Sequence, residues 1–278
     1  MDDPTTWIGR ARTQEDEITR PALRRIVAML DRTDDIPMGA PIPRHWYAMF
    51  FPEIAPQSGL GPDGHPRKGD FLPPVPLPRR MFAGRRVTFL APLCVGDLAT
   101  KHSEITAITP KTGRSGNMVF VTIRHTIRVG AVVALIEEQD VVYREPPAPG
   151  AHTQTPAAPL PPAAWSETVT PDTVLLFRYS AITFNGHRIH YDADYTRTTE
   201  GYPALVVNGG LTLLLLLEAA TRAHGRPPRS LSVRNLRPLH AGGALTLAGR
   251  AIADGAATAW AEDTSGARAV AAELGYVA

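Results

Sequence analysis

Residues 209–217 constrain this chain more than any other stretch. Two glycines, Gly209 and Gly210, lead into Leu211-Thr-Leu-Leu-Leu-Leu-Leu217. A helix that is apolar on nearly every side has no face to offer to water, so it has to be enclosed by the rest of the fold. The run is far too short to cross a bilayer, which takes roughly 20 apolar residues. The chain beyond it is β-rich, with strands predicted over 230–236, 244–253, 256–262 and 268–276. A buried helix with antiparallel strands to wrap it defines an α+β fold.

The first half of the chain has a related plan. The spacing of Leu23, Ile26, Val27 and Leu30 predicts an amphipathic helix over 13–32, with Thr19 as a cap and Pro21 in its first turn. A buried segment of about two helical turns is expected at 45–51. Residues 52–80, dense in proline and glycine, read as a long loop, and loops of that length inside a domain often carry function. Strands are predicted over 85–90, 98–108, 118–129 and 132–143; Val119, Val121, Ile123, His125 and Ile127 alternate with polar partners as in a half-buried antiparallel strand. The Pro/Ala-rich stretch 146–164 reads as a linker. It separates an N-terminal unit, 1–145, from a C-terminal unit, 165–278. The second unit opens with a short strand, a helix over 172–181 started by Thr170-Pro171, and the turn from Phe184 to Asp192. Identity between the halves is too weak to establish a repeat from residues alone.

Composition narrows the function classes. A 44% apolar, 20% charged chain of net charge +2 is ordinary for a soluble globular protein, and the mild charge with no Lys/Arg block argues against nucleic acid as a partner. The single cysteine, Cys94, excludes an internal disulfide and a thiolate metal site. A polar, acidic N-terminus unlike a targeting peptide makes the cytoplasm the expected compartment, with no membrane partner.

Two sets of motifs carry a family resemblance. In the second half they are Phe184-Asn-Gly-His-Arg-Ile-His-Tyr-Asp192, Gly201-Tyr-Pro203 and Leu205-Val-Val-Asn-Gly-Gly-Leu211. In the first half they are Trp7-Ile-Gly-Arg10, Gly61-Pro-Asp-Gly-His-Pro66, residues 71–81, Gly113-Arg-Ser-Gly116 and Glu137-Glu-Gln-Asp140. With these the chain resembles the MaoC-like hydratases and dehydratases in their double hot-dog form. The nearest members it resembles are the itaconyl-, mesaconyl- and 3-methylfumaryl-CoA hydratases, within a wider group of type 2 3-hydroxyacyl-thioester dehydratases. The resemblance implies reversible hydration of an α,β-unsaturated thioester, preferably a short branched or dicarboxylic acyl-CoA, with no metal or redox cofactor. Coenzyme A is then part of the substrate. The same chemistry on acyl-carrier-protein thioesters is the second reading, and a non-catalytic thioester-binding protein the third. Two units in one chain allow either a monomeric pseudo-dimer or a homodimer. The N-terminal unit is expected to lack the catalytic motif and to shape the acyl pocket.

Hydration places negative charge on the thioester oxygen, so preorganised donors there are needed. The start of the 209–224 helix supplies unpaired amides, with Gly209 the candidate donor and Gly210 beside it. His190 is the candidate base. The family's Asp-x-Asn-Pro-x-His motif, anchored on His190, puts Asn185 at the aspartate, His187 at the asparagine and Arg188 at the proline. An amide cannot take a proton at ordinary pH, so Asn185 is assigned to orienting water. His187 is either a second acid/base or a cap of the turn, and Asp192 either tunes His190 or is an exposed turn carboxylate. His187-x-x-His190 with Asp192 is too sparse for a metal site. Asn208 is a candidate supporting donor, and Tyr202 with Pro203 would shape the acyl pocket. Arg234, Arg237, Arg197, Arg79 and Arg80 are candidates for coenzyme A phosphates. Arg188 is the candidate for a substrate's free carboxylate. Gly64-His65-Pro66 reads as a loop turn with a weak claim to chemistry.

Overall fold

The computed structural model describes residues 3–113, 116–145 and 162–276. Arg114 and Ser115, and most of the linker expected at 146–164, lie outside the described residues. The strands are β1 (Ala11–Glu17), β2 (Arg79–Phe89), β3 (Leu98–Gly113), β4 (Gly116–Val129), β5 (Val132–Arg144), β6 (Trp165–Val169), β7 (Ser230–Asn235), β8 (Leu245–Gly249), β9 (Ala256–Glu262) and β10 (Arg268–Gly275). They form one 10-stranded sheet in the order β1-β3-β4-β5-β2-β7-β10-β9-β8-β6, antiparallel throughout. From either outer edge inward the plan is the same: β1-β3-β4-β5-β2 on one side, β6-β8-β9-β10-β7 on the other. The repeat that is invisible in residue identity is thus plain in topology. The halves join where β2 pairs with β7, from Gly84 opposite Arg234 to Thr88 opposite Ser230.

The helices are α1 (Arg20–Met29), α2 (Thr173–Ile182), α3 (Ala193–Thr198) and α4 (Gly209–His224). As expected, α4 is enclosed, with every residue from Leu211 to Ala220 buried except the half-buried Leu215. It lies in a core that both halves share: Ile26, Trp46, Phe89 and Leu135 belong to the same apolar cluster as Leu211, Leu216, Leu231 and Leu274. The mid-helix carboxylate of Glu218 is also buried. It is held by His45 Nε2 at 2.7 Å, Trp46 Nε1 at 2.7 Å and Arg32 Nη1 at 2.8 Å.

Three local expectations need correction. The helix expected over 13–32 is a strand followed by a shorter helix: 11–17 pairs with β3, and α1 begins after the Thr19 cap, whose hydroxyl accepts from Ala22 N. The strand Ala-Arg-Thr-Gln-Glu-Asp-Glu is polar on both faces because it lies at the sheet edge, so it carries no alternation to betray it. Second, α2 is capped by Asp172, whose Oδ1 accepts from Leu175 N at 2.7 Å, and not by Thr170. Third, among the described residues the N-terminal sheet has no long helix of its own to match α4. Prolines at 37, 41, 43, 52 and 56 interrupt the chain where one would run. Its place is taken by a 3-10 segment, Arg44–Met49, which buries Trp46 and Tyr47, and by the long loop, which packs Phe71 and Val75 onto Ile105, Val121, Ile123 and Tyr143.

Candidate active site

A cleft of about 2880 Å³ runs along the junction of the two halves. Its walls come from the loop around Pro62, from β2, from the turn after α2, from the Gly201–Pro203 loop, from the start of α4 and from β7. Of the residues singled out in the sequence, Asn185, His187, Arg188, His190, Tyr202, Pro203, Asn208, Gly209, Gly210, Arg79, Arg80, Arg234 and Arg237 line it, whereas Asp192 and Arg197 do not.

The motif turn is built locally. Phe184 takes a left-handed backbone, φ 51°. Asn185 N donates to Ser180 O at 2.8 Å, and Asn185 Oδ1 accepts from His187 N at 3.0 Å. A 3-10 turn over Arg188–His190 comes next, which the His187 side chain does not cap. His187 is therefore not a turn cap; its ring faces His190, centroids 5.5 Å apart and nearly perpendicular. His190 donates Nδ1–H to Val206 O at 2.7 Å, which fixes the tautomer and leaves Nε2 as an acceptor with no protein partner among the described residues. Burial pulls its pKa down to about 4, although the bond to Val206 works in the other direction. His187 is pulled down further, to about 2, by burial and then by the neighbouring His65 and His190. Both rings are neutral at pH 7.

Val206 ties this turn to α4, since its N–H also donates to Ile189 O at 2.9 Å. Asn208 stands at the N-cap of α4 but makes no capping bond; its buried Nδ2 donates weakly to Ser180 Oγ at 3.5 Å, and its Oδ1 is unpartnered among the described residues. The first amides of α4 thus stay open to the cleft. Gly209 and Gly210 are both closely approached by side chains. A Cβ at Gly209 would stand 3.2 Å from both Asn235 Nδ2 and Phe82 Cδ1, and one at Gly210 would collide with the Tyr179 hydroxyl.

Two candidate roles change. Asp192 does not tune His190; it caps α3 through Tyr195 N at 2.9 Å and takes two bonds from Arg188, at 3.0 and 2.7 Å. Arg188 is spent in the same way. Besides Asp192, its Nη1 donates to Pro62 O at 3.1 Å, and its guanidinium lies 4.1 Å from the Tyr195 ring centre. It does not offer a free cation for a substrate carboxylate. Arg79 is engaged by the Glu200 carbonyl and lies 5.4 Å from the Tyr202 ring. Arg237 stands 3.7 Å from Asp263, while Arg234 is exposed at the cleft edge and makes no ion pair among the described residues.

The geometry adds Asp63, which sequence reasoning missed, and strengthens His65, read there as part of a loop turn with a weak claim to chemistry. Asp63 and His65 enter the site from the first half of the chain. The His65 ring packs on His187, centroids 3.9 Å apart, and its Nδ1 bonds Asp63 Oδ2 at 2.9 Å. Asp63, His65 and His187 bring potential ligand atoms within 4.8 Å of one another. Arg80, a phosphate candidate from the sequence, also lines the cleft and lies beside the Tyr143 hydroxyl.

Likeness to solved structures shows the fold. A MaoC-like dehydratase from Phytophthora capsici superposes with a TM-score of 0.73 at 14% identity, covering 100% of this chain and 98% of that one. A Mycobacterium tuberculosis protein described as having a double hotdog fold superposes at 0.61 and 15% identity, covering 97% and 96%. The fold is the double hot-dog. In sequence, the family model for hydroxyacyl-thioester dehydratase type 2 matches residues 44–241. The mesaconyl-C(4)-CoA hydratase of Chloroflexus aurantiacus is 46% identical over 240 residues, 85% of each chain. The chain belongs to the hydroxyacyl-thioester dehydratase type 2 family and is a hydro-lyase. No helix is long and apolar enough to cross a membrane among the described residues.

Proposed function

We propose that the protein reversibly adds water to an α,β-unsaturated acyl-CoA, with a short dicarboxylic or branched acyl group preferred. The observation that carries the reading is the pairing of two features on one cleft: a histidine locked with Nε2 bare, and a helix start with open amides. The thioester oxygen would sit at the amides of Gly209 and Gly210, where the helix dipole and preorganised N–H groups stabilise the developing enolate. Water would bond Nε2 of His190, the base of a one-histidine mechanism, with the free Nδ2 of Asn185 as orienter. Exposed Arg234 at the cleft edge suits a coenzyme A phosphate. For a second carboxylate on the acyl group, Arg80, which lines the cleft, is a better-placed cation than Arg188, which is held by Asp192. The similarity to the mesaconyl-C(4)-CoA hydratase supports a dicarboxylic substrate.

The test is the absorbance of the conjugated thioester, followed with crotonyl-, mesaconyl- and itaconyl-CoA and with a crotonyl-carrier-protein arm. Loss of conjugation, fastest on a dicarboxylic CoA ester, is expected. The Arg80→Met variant should lose the preference for mesaconyl- over crotonyl-CoA. No change on any CoA ester would overturn the reading, and faster turnover of the carrier-protein arm would overturn its CoA assignment.

A further inference from the structure

The first half of the chain brings more than a wall to the cleft. Asp63 accepts twice from His65, at Oδ1 from the backbone N–H (3.1 Å) and at Oδ2 from Nδ1 (2.9 Å). The pair is fastened to the motif turn: Arg188 N donates to Asp63 O at 2.9 Å, and the Gly64 and Gly186 backbones touch. Asp63 is held well below the usual carboxylate range; burial opposes this, but the bonds from His65 outweigh it. His65 Nε2 has no partner among the described residues, and the ring lies against the motif histidine. Of His65, His187 and His190, only His65 is hydrogen-bonded to a carboxylate; His190 has a backbone carbonyl behind it.

We propose that the Asp63–His65 pair is a second proton-handling group of the hydration site, doing from the first half of the chain what Asn185 cannot do from the second. This rests on the hydration reading and moves the proton-accepting role from His190 to His65, leaving His190 to hold the water. One water would lie between two imidazole nitrogens. Its oxygen bonds the β-carbon, one O–H bond breaks, and that proton passes to Nε2 of His65. The π pair moves toward the α-carbon and thioester oxygen. Asp63 stabilises the imidazolium through Nδ1–H, as a buried aspartate does for a catalytic histidine. The O–H that survives in the product stays bonded to His190. The imidazolium then returns its proton to the α-carbon, and the protein ends as it began.

The test uses the full chain with crotonyl- and mesaconyl-CoA, comparing wild type, His65→Gln, Asp63→Asn and His190→Ala. His65→Gln and Asp63→Asn should each lower kcat by about 10- to 100-fold, with KM within about twofold and the melting temperature retained. A role in shape alone would not move the pH profile. Arg80, His187 and Glu53 also face His65 and stay unaltered. Removing the Asp63 charge should therefore shift the acid limb of kcat/KM to lower pH, because Asp63 favours the protonated ring. Should His65→Gln misfold, the near-isosteric Asp63→Asn decides the matter. His65→Gln at wild-type kcat, or Asp63→Asn with an unmoved limb, would overturn the pair's role. A wild type inactive on every thioester would instead sink the hydration reading itself.

Discussion

Gly64 and Gly186 meet backbone to backbone across the junction of the two halves. A Cβ on Gly64 would run into the Gly186 carbonyl, and one on Gly186 would stand 2.9 Å from Gly64 O. Gly64 also has φ +85°, a conformation that favours glycine. Gly64→Ala should therefore lift the 61–66 loop from the motif turn. We expect a loss of stability of about 1–3 kcal/mol, and a fall in kcat/KM larger than that loss explains, seen by melting and by assay at a temperature where the variant stays folded.

His190→Ala should lower kcat by about 100- to 10,000-fold while the protein stays folded. The neutral ring is the working form, and burial holds its pKa near about 4. The rate should then be flat around neutrality and fall only as the pH drops below the ordinary histidine range. A wild-type profile falling already between pH 7 and 6 would contradict this.

Gly210→Ala should be severely impaired, because the new methyl collides with the Tyr179 hydroxyl at the helix start. The double variant Gly210→Ala/Tyr179→Phe removes the colliding oxygen and should recover part of the rate. No recovery would mean that the methyl harms the site by another route.

Glu218 makes a separate prediction about stability. Burial works against its ionisation, yet His45, Trp46 and Arg32 hold its pKa down to about 2. A carboxylate with a lowered folded pKa stabilises the fold above its unfolded value and loses that contribution as pH falls toward the folded one. The melting temperature should drop between about pH 5 and pH 2, and drop less steeply in Glu218→Gln. Glu218→Ala, which strands its buried partners, should cost about 3–5 kcal/mol at pH 7.

Chelation should leave the rate unchanged. Hydration needs only donors for the enolate and a carrier for the proton. Conversely, added zinc ion should inhibit if it pulls Asp63, His65 and His187 together, and His187→Asn should relieve that inhibition. Activity lost to chelator and restored by metal would refute the metal-free mechanism.

Much of the fold was legible in sequence because its signals are local. The apolar run that became α4, the alternation of β4 and the Thr19 cap each depend on residues within a few positions of one another. The Arg188–Asp192 pair was legible too, being an i,i+4 ion pair, although the motif around it points both residues toward the chemistry. What escaped is non-local or unpatterned. Edge strand β1 is polar on both faces, and Glu218 looks misplaced in an apolar helix until His45, Trp46 and Arg32 arrive from another segment. His65 reads as a loop residue until the chain folds it onto His187, although Asp63-x-His65 was a visible hint. Distance along the chain hid these contacts, and no periodicity encodes them.

The contact of the Gly64 loop with the Gly186 turn has an evolutionary consequence. Where a duplicated fold keeps its working groups inside one copy, the other copy is free to drift. Here the loop around Asp63 and the turn around His187 are pressed together by glycines on both sides. The two copies must therefore vary as one, and grafting the first half of a relative onto the second half of this chain will succeed only when both sides of that contact travel together.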